Sequence, residues 1–429
     1  MESSASALAI VLSAVGGSAL RFDAGTRVGC HAPRTTAACG PAMMAKSKVF
    51  IDGEAGTTGL QVRDRLAKRE DLEVLSLPEG ARKDAAARAE AINAADAVIL
   101  CLPDAAAIEA ANLVDPSNKR TVLIDASTAH RVNPDWVYGF PELSADQRAA
   151  ITTSKRIANP GCYATGFIAL IAPLVAAALV RPSSRLVVSA ISGYSGGGKN
   201  LIEAFESGAA HEPWGAYAFA LNHKHLPEMS TLDLHLALSL TLTLTLTPEW
   251  QALAGDDALA GVEHALVFKV GLYIEPLTLT LALALTGKFA GIEHDPIFLP
   301  AVGAFAQGMV VSVPIRYDTD LEEAALSGGE GVGKGLHAAL SKHYAGCEFV
   351  SVMPLGEAEW KEAGLLERGT FLRPDSLNNT NELQVFVYCN EEKRTAVLAA
   401  RLDNLGKGAS GAAVQNLNLA LGLDEKTGL

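Results

Sequence analysis

The sequence predicts an α/β protein whose body opens with a doubly wound parallel sheet and continues into a second α/β domain. Short apolar runs at 48–52, 73–77, 97–102 and 122–125 alternate with segments of helical character, as strands and helices do around a parallel sheet. A glycine-rich turn follows the first run. Hydrophobic residues make up 49% of the 429 residues, which excludes disorder over most of the chain.

Residues 1–46 are predicted to be a targeting leader. This segment holds four basic and two acidic residues among many small ones, the composition of a transit peptide. Its apolar run at 7–15 is too short to cross a bilayer. We expect a plastid (chloroplast) location, with the mitochondrion second, and an ordinary disordered tail is the alternative.

The overall charge excludes one class of partner. Lys and Arg number 35 against 48 Asp and Glu, a formal net charge of −13, whereas a nucleic-acid-binding protein needs a basic face. Six scattered cysteines without zinc-knuckle spacing indicate free thiols in a reducing compartment. We expect a small-molecule ligand, with neither nucleic acid nor membrane as partner.

The glycine turn connects the first strand to a helix. Its glycines allow the backbone to approach a pyrophosphate, and the helix N-terminus supplies N–H donors. A tight turn without a ligand is the alternative. The predicted cofactor contacts here are Gly53, Gly56, Thr57, Thr58 and Gly59.

Two basic residues follow the second strand. Arg82 and Lys83 come shortly after Glu79, at the place where nucleotide-binding sheets select between the two nicotinamide cofactors. Basic side chains accept a 2′-phosphate, so the pattern favours NADP. The alternative is that both are solvated charges at the start of a helix.

Cys162 is the predicted nucleophile. It follows Pro160-Gly161 and precedes an apolar segment, 166–180, that is predicted to be helical. A helix N-terminus lowers the pKa of a thiol, so we expect a thiolate near neutral pH. Cys101, inside a buried strand, is expected to be inert, and Cys347 and Cys389 are expected to be small core residues.

His223, Lys224, His225 and Glu228 lie within six residues of one another. One imidazole can exchange a proton with an oxyanion, and Lys224 can attract an anionic substrate. Zinc competes for such histidines, but no further ligands follow at a recognised spacing, so we predict no metal. A His-rich surface loop is the other alternative.

The segment 191–199 holds four glycines and two serines after a predicted strand at 186–190. Its backbone N–H groups suit a phosphate or the nicotinamide region of a cofactor. A flexible lid is the alternative interpretation.

In their order along the chain, these motifs resemble those of the shorter type of N-acetyl-gamma-glutamyl-phosphate reductase. The resemblance covers roughly residues 47–230 and 290–425, and the motifs around Cys162 and His225 together make it specific. It rests on the segments 53–59, 125–131, 138–143, 159–162, 192–198, 223–228, 378–381 and 403–416.

The resemblance implies both a fold and an activity. The fold is a Rossmann-type NADP-binding domain at 47–161, completed by a C-terminal helix at 405–429. A C-terminal α/β domain at 162–404 carries a mixed or antiparallel dimerisation sheet, which pairs subunits in a homodimer or homotetramer. The activity is reduction of an acyl phosphate to N-acetylglutamate semialdehyde in arginine biosynthesis, with N-acetylglutamate kinase as a candidate partner.

The resemblance also implies a mechanism. Cys162 attacks the acyl phosphate, phosphate leaves and a thioester forms, NADPH delivers hydride, and a histidine supplies the proton. We favour His225 over His223, because Glu228 three residues on could orient it. Arg131 is the best-placed carboxylate anchor. The further implied contacts are Ser127, Ser195, Gly196 and Asn416 for the cofactor, and Ser192, Lys199 and Lys224 for the substrate.

Residues 231–290 depart from this pattern. Leu occupies every even position from 232 to 246, and Leu alternates again from 277 to 285. Repetition this strict is typical of translated simple-repeat DNA, such as a retained intron, and a genuine insert is the alternative. Two rival functions follow: aspartate-semialdehyde dehydrogenase, which shares the cysteine chemistry, and an inactive NADP-binding structural or regulatory protein spoiled by the insert.

Overall fold

The computed structural model describes residues 46–208, 211–229, 290–327, 329 and 331–429. All but the last residue of the predicted leader and of the predicted insert lie outside these ranges. Within them, no helix combines the length and apolar character that crossing a membrane requires.

The first sheet is parallel throughout and doubly wound. Its strands are β1 (Ser47–Asp52), β2 (Leu72–Leu75), β3 (Ala97–Leu100), β4 (Val122–Asp125), β5 (Val137–Tyr138) and β6 (Arg156–Ala158). They lie in the order β2-β1-β3-β4-β6-β5. The helices between them are α1 (Thr57–Leu66), α2 (Ala85–Ala94), α3 (Asp104–Asn112) and α4 (Ala145–Thr153). The predicted fold class is confirmed, and the strand order reverses between β1 and β3, where such sheets bind ligands.

The inner strands are apolar runs because helices cover both faces of the sheet. Every residue of β3 and β4 is buried. The helix predicted at 84–95 is α2, and it begins where the Asp84 carboxylate accepts a hydrogen bond from the Ala87 N–H at 2.7 Å.

The second sheet is mixed, as predicted. Its strands are β7 (Val187–Gly193), β8 (Trp214–Ala216), β9 (Ile297–Gly303), β10 (Met309–Arg316), β11 (Val350–Val352), β12 (Leu383–Asn390) and β13 (Thr395–Leu402). They lie in the order β11-β12-β13-β10-β7-β9-β8, with β7/β9 and β11/β12 parallel and the other pairs antiparallel. The helices of this half are α5 (Cys162–Ala176), α6 (Lys199–Glu206), α7 (Leu226–Met229), α8 (Tyr317–Asp320), α9 (Glu323–Leu326), α10 (Val332–His343) and α11 (Glu357–Glu362).

Helix α5 forms the core of this second half. It begins at Cys162, four residues before the predicted start, because Gly161 has an extended backbone and serves as the N-cap. Residues 163–175 are all buried, against the inner face of the second sheet. Gly166 permits this close packing, since a Cβ there would lie 2.7 Å from a methyl carbon of Val311.

The outer face of the second sheet is only partly covered. A cluster around Trp360 packs over β12 and β13. Among the described residues, the face over β10, β7, β9 and β8 is open, and Trp214 and Leu299 are 56% and 42% exposed. A groove of 370 Å³ lies along this open part.

The C-terminal segment returns to the first sheet. A π-helix at Gly406–Ser410 leads into α12 (Gly411–Ala420). Val414 and Leu417 of α12 are fully buried with Val49 and Ile124 of the parallel strands. The segment therefore links the two sheets next to the start of α5. The predicted domain limits stay predictions.

Candidate active site

A cavity of 690 Å³ brings loops of both sheets together. Ten predicted site residues line it: Thr57, Thr58, Arg131, Cys162, Ser192, Ser195, Gly196, His223, Lys224 and His225. Nine others are not part of its lining: Gly53, Gly56, Gly59, Arg82, Lys83, Ser127, Lys199, Glu228 and Asn416.

Cys162 lies at the helix N-terminus as predicted, but its expected low pKa is wrong. Burial raises the pKa of the Cys162 thiol to about 11, although Arg131 and the backbone N–H of Tyr163 act in the opposite direction. Removal from water disfavours the thiolate more than these partners favour it. A neighbouring base is therefore needed to take the thiol proton.

Glu228 is held by three donors. Its carboxylate accepts hydrogen bonds from Arg131 Nη1 at 2.7 Å, from the Tyr138 hydroxyl at 2.9 Å and from the Gly161 N–H at 3.0 Å. The expectation that Glu228 orients His225 is therefore wrong. Glu228 instead fixes the turn that leads into Cys162.

Arg131 is buried and paired rather than free. Besides Glu228, its guanidinium donates from Nε to the Asn159 carbonyl at 3.0 Å and from Nη2 to the Ala126 carbonyl at 3.4 Å. These bonds use three of the five N–H donors of the guanidinium and leave one N–H on each Nη, so the carboxylate anchor at Arg131 stays a prediction. Arg131 is a charged wall of the cavity whose charge Glu228 balances.

The two histidines occupy different surroundings. His225 is buried beside Gly161, where a Cβ would lie 2.8 Å from the imidazole Cε1, and its Nδ1 has no hydrogen-bond partner among the described residues. His223 accepts a hydrogen bond from the His225 N–H at 3.2 Å. Burial, with smaller effects of nearby cations, lowers the pKa of His225 well below its ordinary value and that of His223 to about 4. Both imidazoles are therefore neutral bases near pH 7.

In the part of the chain that the structure describes, no three His, Cys, Asp or Glu side chains are grouped so that they could hold a metal ion.

The glycine turn has the shape of a nucleotide cradle. Gly53 has φ +89°, and a Cβ there would lie 2.4 Å from the Cys101 carbonyl oxygen. A Cβ at Gly59 would lie 2.4 Å from the Gly53 carbonyl oxygen, so only glycine fits both positions. Gly56 is the N-cap of α1, and Thr57 and Thr58 at its start face the cavity.

Arg82 lies against the glycine turn. Its guanidinium forms an ion pair with Glu54 at 2.6 Å, and it follows a short 3-10 helix, Glu79–Ala81, rather than starting α2. Lys83 beside it is exposed. These two cations stand at the end of β2, where the 2′-phosphate of NADP is bound in this type of sheet.

Two residues predicted to contact the cofactor make internal hydrogen bonds. The Ser127 hydroxyl donates to Asp125 at 2.7 Å. Asn416 donates to the Gly139 carbonyl at 2.9 Å and to Asn159 Oδ1 at 3.1 Å, while its own Oδ1 is buried and has no partner in the part of the chain that the structure describes.

The glycine-rich segment after β7 is only partly available to a ligand. Ser192 and Ser195 are buried, and the Ser195 hydroxyl accepts a hydrogen bond from Asn404 at 3.0 Å. Lys199 begins α6 and is exposed away from the cavity lining. Lys224 is exposed at the cavity, so of these two predicted substrate lysines only Lys224 faces it.

Sequence profiles of two semialdehyde dehydrogenase domains match the chain, the NAD binding domain at 48–151 and the dimerisation domain at 162–253 and 284–404. N-acetyl-gamma-glutamyl-phosphate reductases of Trichormus variabilis and Burkholderia ambifaria are 41% and 42% identical to it. The alignments cover 90% and 87% of this chain, and 100% and 96% of those proteins. The chain belongs to the N-acetyl-gamma-glutamyl-phosphate reductase family. An aspartate semialdehyde dehydrogenase structure from Francisella tularensis shares its fold, with 14% identity and a TM-score of 0.51 over 87% of this chain and 99% of that one.

The family profile also bears on the repeat segment. The matched parts leave residues 254–283 uncovered, whereas the departure predicted from sequence was 231–290. The uncovered residues lie inside the predicted departure, whose limits at 231–290 stay a prediction.

Several residues of the cavity were not predicted from the sequence. Tyr163 contacts the rings of His223 and His225 edge-on or tilted, and the Tyr217 hydroxyl donates to the Tyr163 hydroxyl at 3.3 Å. Gly408 packs against Cys162 from a segment 246 residues later in the chain. Tyr163 directly follows Cys162 and Tyr217 lies six residues before His223, so both carried a local signal, whereas nothing local connects Gly408 to the site.

Proposed function

We propose that this chain is an NADP-dependent reductase that converts N-acetyl-gamma-glutamyl phosphate to N-acetylglutamate semialdehyde and phosphate in arginine biosynthesis. One observation carries the proposal. A helix-terminal cysteine faces a cavity bounded on one side by the cradle at the start of α1 and on the other by Arg131 and two neutral histidines.

Cys162 is the proposed nucleophile. Its sulfur forms a bond to the acyl carbon, the bond from that carbon to the phosphate oxygen breaks, and inorganic phosphate leaves. The product of this half-reaction is a thioester on Cys162. Arg131 lies close enough to favour the thiolate, so its charge also favours attack.

His225 is the proposed acid and base. As a neutral imidazole beside Gly161 it takes the Cys162 proton, and it later returns a proton when the carbon–sulfur bond breaks. Its unpartnered Nδ1 supports this role, because a buried nitrogen without a hydrogen bond is available to a reacting group. His223, which accepts the N–H of His225, is proposed to hold that backbone in place.

The cradle fits the cofactor. Gly53 and Gly59 permit the tight turn and its close packing, Thr57 and Thr58 place the start of α1 at the cavity, and Arg82 with Lys83 suits a 2′-phosphate. The unpartnered Asn416 Oδ1 lies near the Asn159–Cys162 turn and is an acceptor for a hydrogen bond from the nicotinamide amide. When bound, NADPH supplies the hydride that reduces the acyl group.

Lys224 is the proposed anchor for the substrate carboxylate. It is exposed at the cavity, and in the described residues no acidic partner lies within ion-pair distance of it. Because Glu228 balances the charge of Arg131, Lys224 attracts an anionic substrate more strongly than Arg131 does.

The assay runs the reaction backwards with NADP+, phosphate and either N-acetylglutamate semialdehyde or aspartate semialdehyde, and follows NADPH absorbance. We expect turnover only with the acetylated substrate and none in Cys162→Ser. Turnover with aspartate semialdehyde would favour the rival dehydrogenase. NADP+ binding without any turnover would favour the inactive protein, and turnover in Cys162→Ser would refute the nucleophile.

The assembly and location are part of the same proposal. The dimerisation domain supports an oligomer, and we propose a homodimer or homotetramer formed through the open sheet face. N-acetylglutamate kinase is the proposed partner, because the acyl phosphate it would supply is labile, and co-sedimentation tests this.

A plastid location through residues 1–46 is proposed, and a fluorescent fusion of that segment tests it.

A further inference from the structure

The π-helix Gly406–Ser410 contacts the nucleophile directly. A Cβ built at Gly408 would lie 2.6 Å from the Cβ of Cys162. The Ala409 carbonyl accepts a hydrogen bond from Asn159 Nδ2 at 3.0 Å, and Asn159 begins the turn that leads into Cys162. Isolated π turns within helices occur often at functional sites. The position of the Cys162 turn therefore depends on the position of this π-helix.

A buried lysine lies within the π-helix. The side chain of Lys407 is 1% exposed, and its Nζ donates to Glu142 at 2.7 Å and to Gln415 at 2.6 Å. The ammonium also lies over the rings of Phe140 and Phe349, at 5.5 and 5.7 Å from their centroids. Lys407 is not part of the cavity lining, so it reaches the reaction only through its neighbours.

The backbone of Glu142 lies outside the C-terminal segment, although its carboxylate also accepts a hydrogen bond from Gln415 Nε2 of α12 at 2.7 Å. It lies in a 3-10 helix, Pro141–Leu143, between β5 and α4, and its side chain is fully buried. Its backbone carbonyl accepts a hydrogen bond from His343 at 3.0 Å. The ion pair therefore joins the π-helix to a fixed part of the first sheet.

Stability alone gives a weak reason for this pair. Desolvation of two buried charges largely cancels their attraction, and an apolar pair of similar volume is often as stable. What the pair provides is a defined geometry, because a lysine with two oxygen acceptors at 2.7 Å or less has little freedom.

We propose that Lys407 and Glu142 are a positioning pair for Cys162. Their ion pair fixes the register of the π-helix, which holds Gly408 against Cys162 and Ala409 against Asn159. The inference rests on the proposed function, in which Cys162 is the nucleophile.

The double variant Lys407→Met/Glu142→Gln tests this pair, since it removes both charges and keeps the side-chain lengths. We expect kcat to fall by about tenfold or more while KM for NADP+ changes by less than about twofold. Alkylation of Cys162 by iodoacetamide should change in rate as well, a readout that a purely structural role would leave alone.

The matched control is Lys426→Met/Glu348→Gln. It removes an exposed lysine–glutamate pair, 2.5 Å apart, also involving the C-terminal segment, and should leave kcat and alkylation unchanged. Wild-type kcat and alkylation in the folded double variant would overturn the proposal.

A third variant decides the matter if the double variant does not fold. Glu142→Asp keeps both charges but withdraws the carboxylate by one methylene, so it should lower kcat, and an unchanged kcat would overturn the proposal. Loss of turnover in Cys162→Ser with full activity in the pair variants refutes this inference alone. Turnover that persists in Cys162→Ser refutes the proposed function instead.

Discussion

At the scale of single residues, the thiol of Cys162 is held protonated by its surroundings. Burial raises its pKa to about 11, so the thiolate fraction of the ligand-free enzyme near pH 7 is smaller than that of an ordinary cysteine. The rate of alkylation by iodoacetamide should therefore rise about tenfold for each pH unit above about pH 7. Mass spectrometry of the alkylated peptides measures it.

The exposed Cys389 is the internal control for that experiment. It was expected to be a small core residue, and that expectation is wrong, because it lies near the exposed end of β12. Its alkylation should be faster than that of Cys162 at neutral pH. A rate at Cys162 that levels off below about pH 8.5, the ordinary cysteine value, would contradict the raised pKa.

The Arg131–Glu228 pair is a second property at this scale. Arg131→Met leaves a buried carboxylate without its cation, and this should lower the free energy of unfolding by about 3–5 kcal/mol. Urea denaturation measures the change. The control Arg394→Met removes the partner of an exposed carboxylate, Asp318, and should cost about 0–1 kcal/mol. Equal losses in the two variants would contradict the structural role of Glu228.

Sequence reasoning succeeded unevenly for these residues. Cys162 and His225 were found because their motifs are short and local. The role of Glu228 was wrong because spacing along the chain suggested a contact with His225, whereas its partners come from Tyr138 and Arg131, about ninety residues earlier. The predicted direction of the shift in the Cys162 pKa was wrong, because a sequence shows a helix terminus but does not show how deeply the thiol is buried.

At the scale of secondary-structure elements, the π-helix is the feature that a small change should disturb. Gly408→Ala adds a Cβ 2.6 Å from that of Cys162, so one of the two segments must move. A displacement of about 1 Å at a reacting group can cost about a hundredfold in rate, and we expect kcat to fall by about that factor. Steady-state kinetics measures it.

The control for this variant is Gly335→Ala. Gly335 lies within α10, and a Cβ added there would have no atom within 4 Å, so alanine fits. We expect unchanged kcat and a gain in stability of up to about 1 kcal/mol, because glycine is a poor helix former. An equal loss of activity in both variants would mean that the contact with Cys162 is unimportant.

Four of the six strands in the first sheet were predicted, because buried parallel strands are continuous apolar runs, whereas the short β5 and β6 were not. The π-helix was not predicted, since the resemblance implied only a C-terminal helix at 405–429. The strands of the second sheet depend on pairings between distant segments, such as β7 with β9, so only the strand before Ser192 was predicted from its residues.

At the scale of the whole molecule, the open face of the second sheet is the surface on which two copies should pair. Leu299 lies on β9 within this face. Leu299→Lys should place a charge in an apolar interface and convert the oligomer to monomers of 44.8 kDa. Light scattering after size-exclusion chromatography measures the mass.

A matched change elsewhere controls for surface charge. Ile108 on α3 is 47% exposed and lies on the first sheet's helices, so Ile108→Lys should leave the oligomer intact. An unchanged mass in Leu299→Lys would exclude this face as the interface. Whole-molecule pairing was implied by family resemblance, since no residue pattern in the sequence identifies which sheet face is open.

The return of the chain to its starting sheet has a consequence for biosynthesis of the protein. Asn159 can form its hydrogen bond to Ala409 only after residue 409 has been synthesised. Likewise Arg69, in a loop of the first sheet, bonds to Asn418, which is synthesised 349 residues later. Much of the parallel sheet can form before residues 406–410 are synthesised. The contact between this π-helix and Cys162 cannot. The reaction centre is therefore complete only after residues 406–420 have been synthesised and have packed against the first sheet.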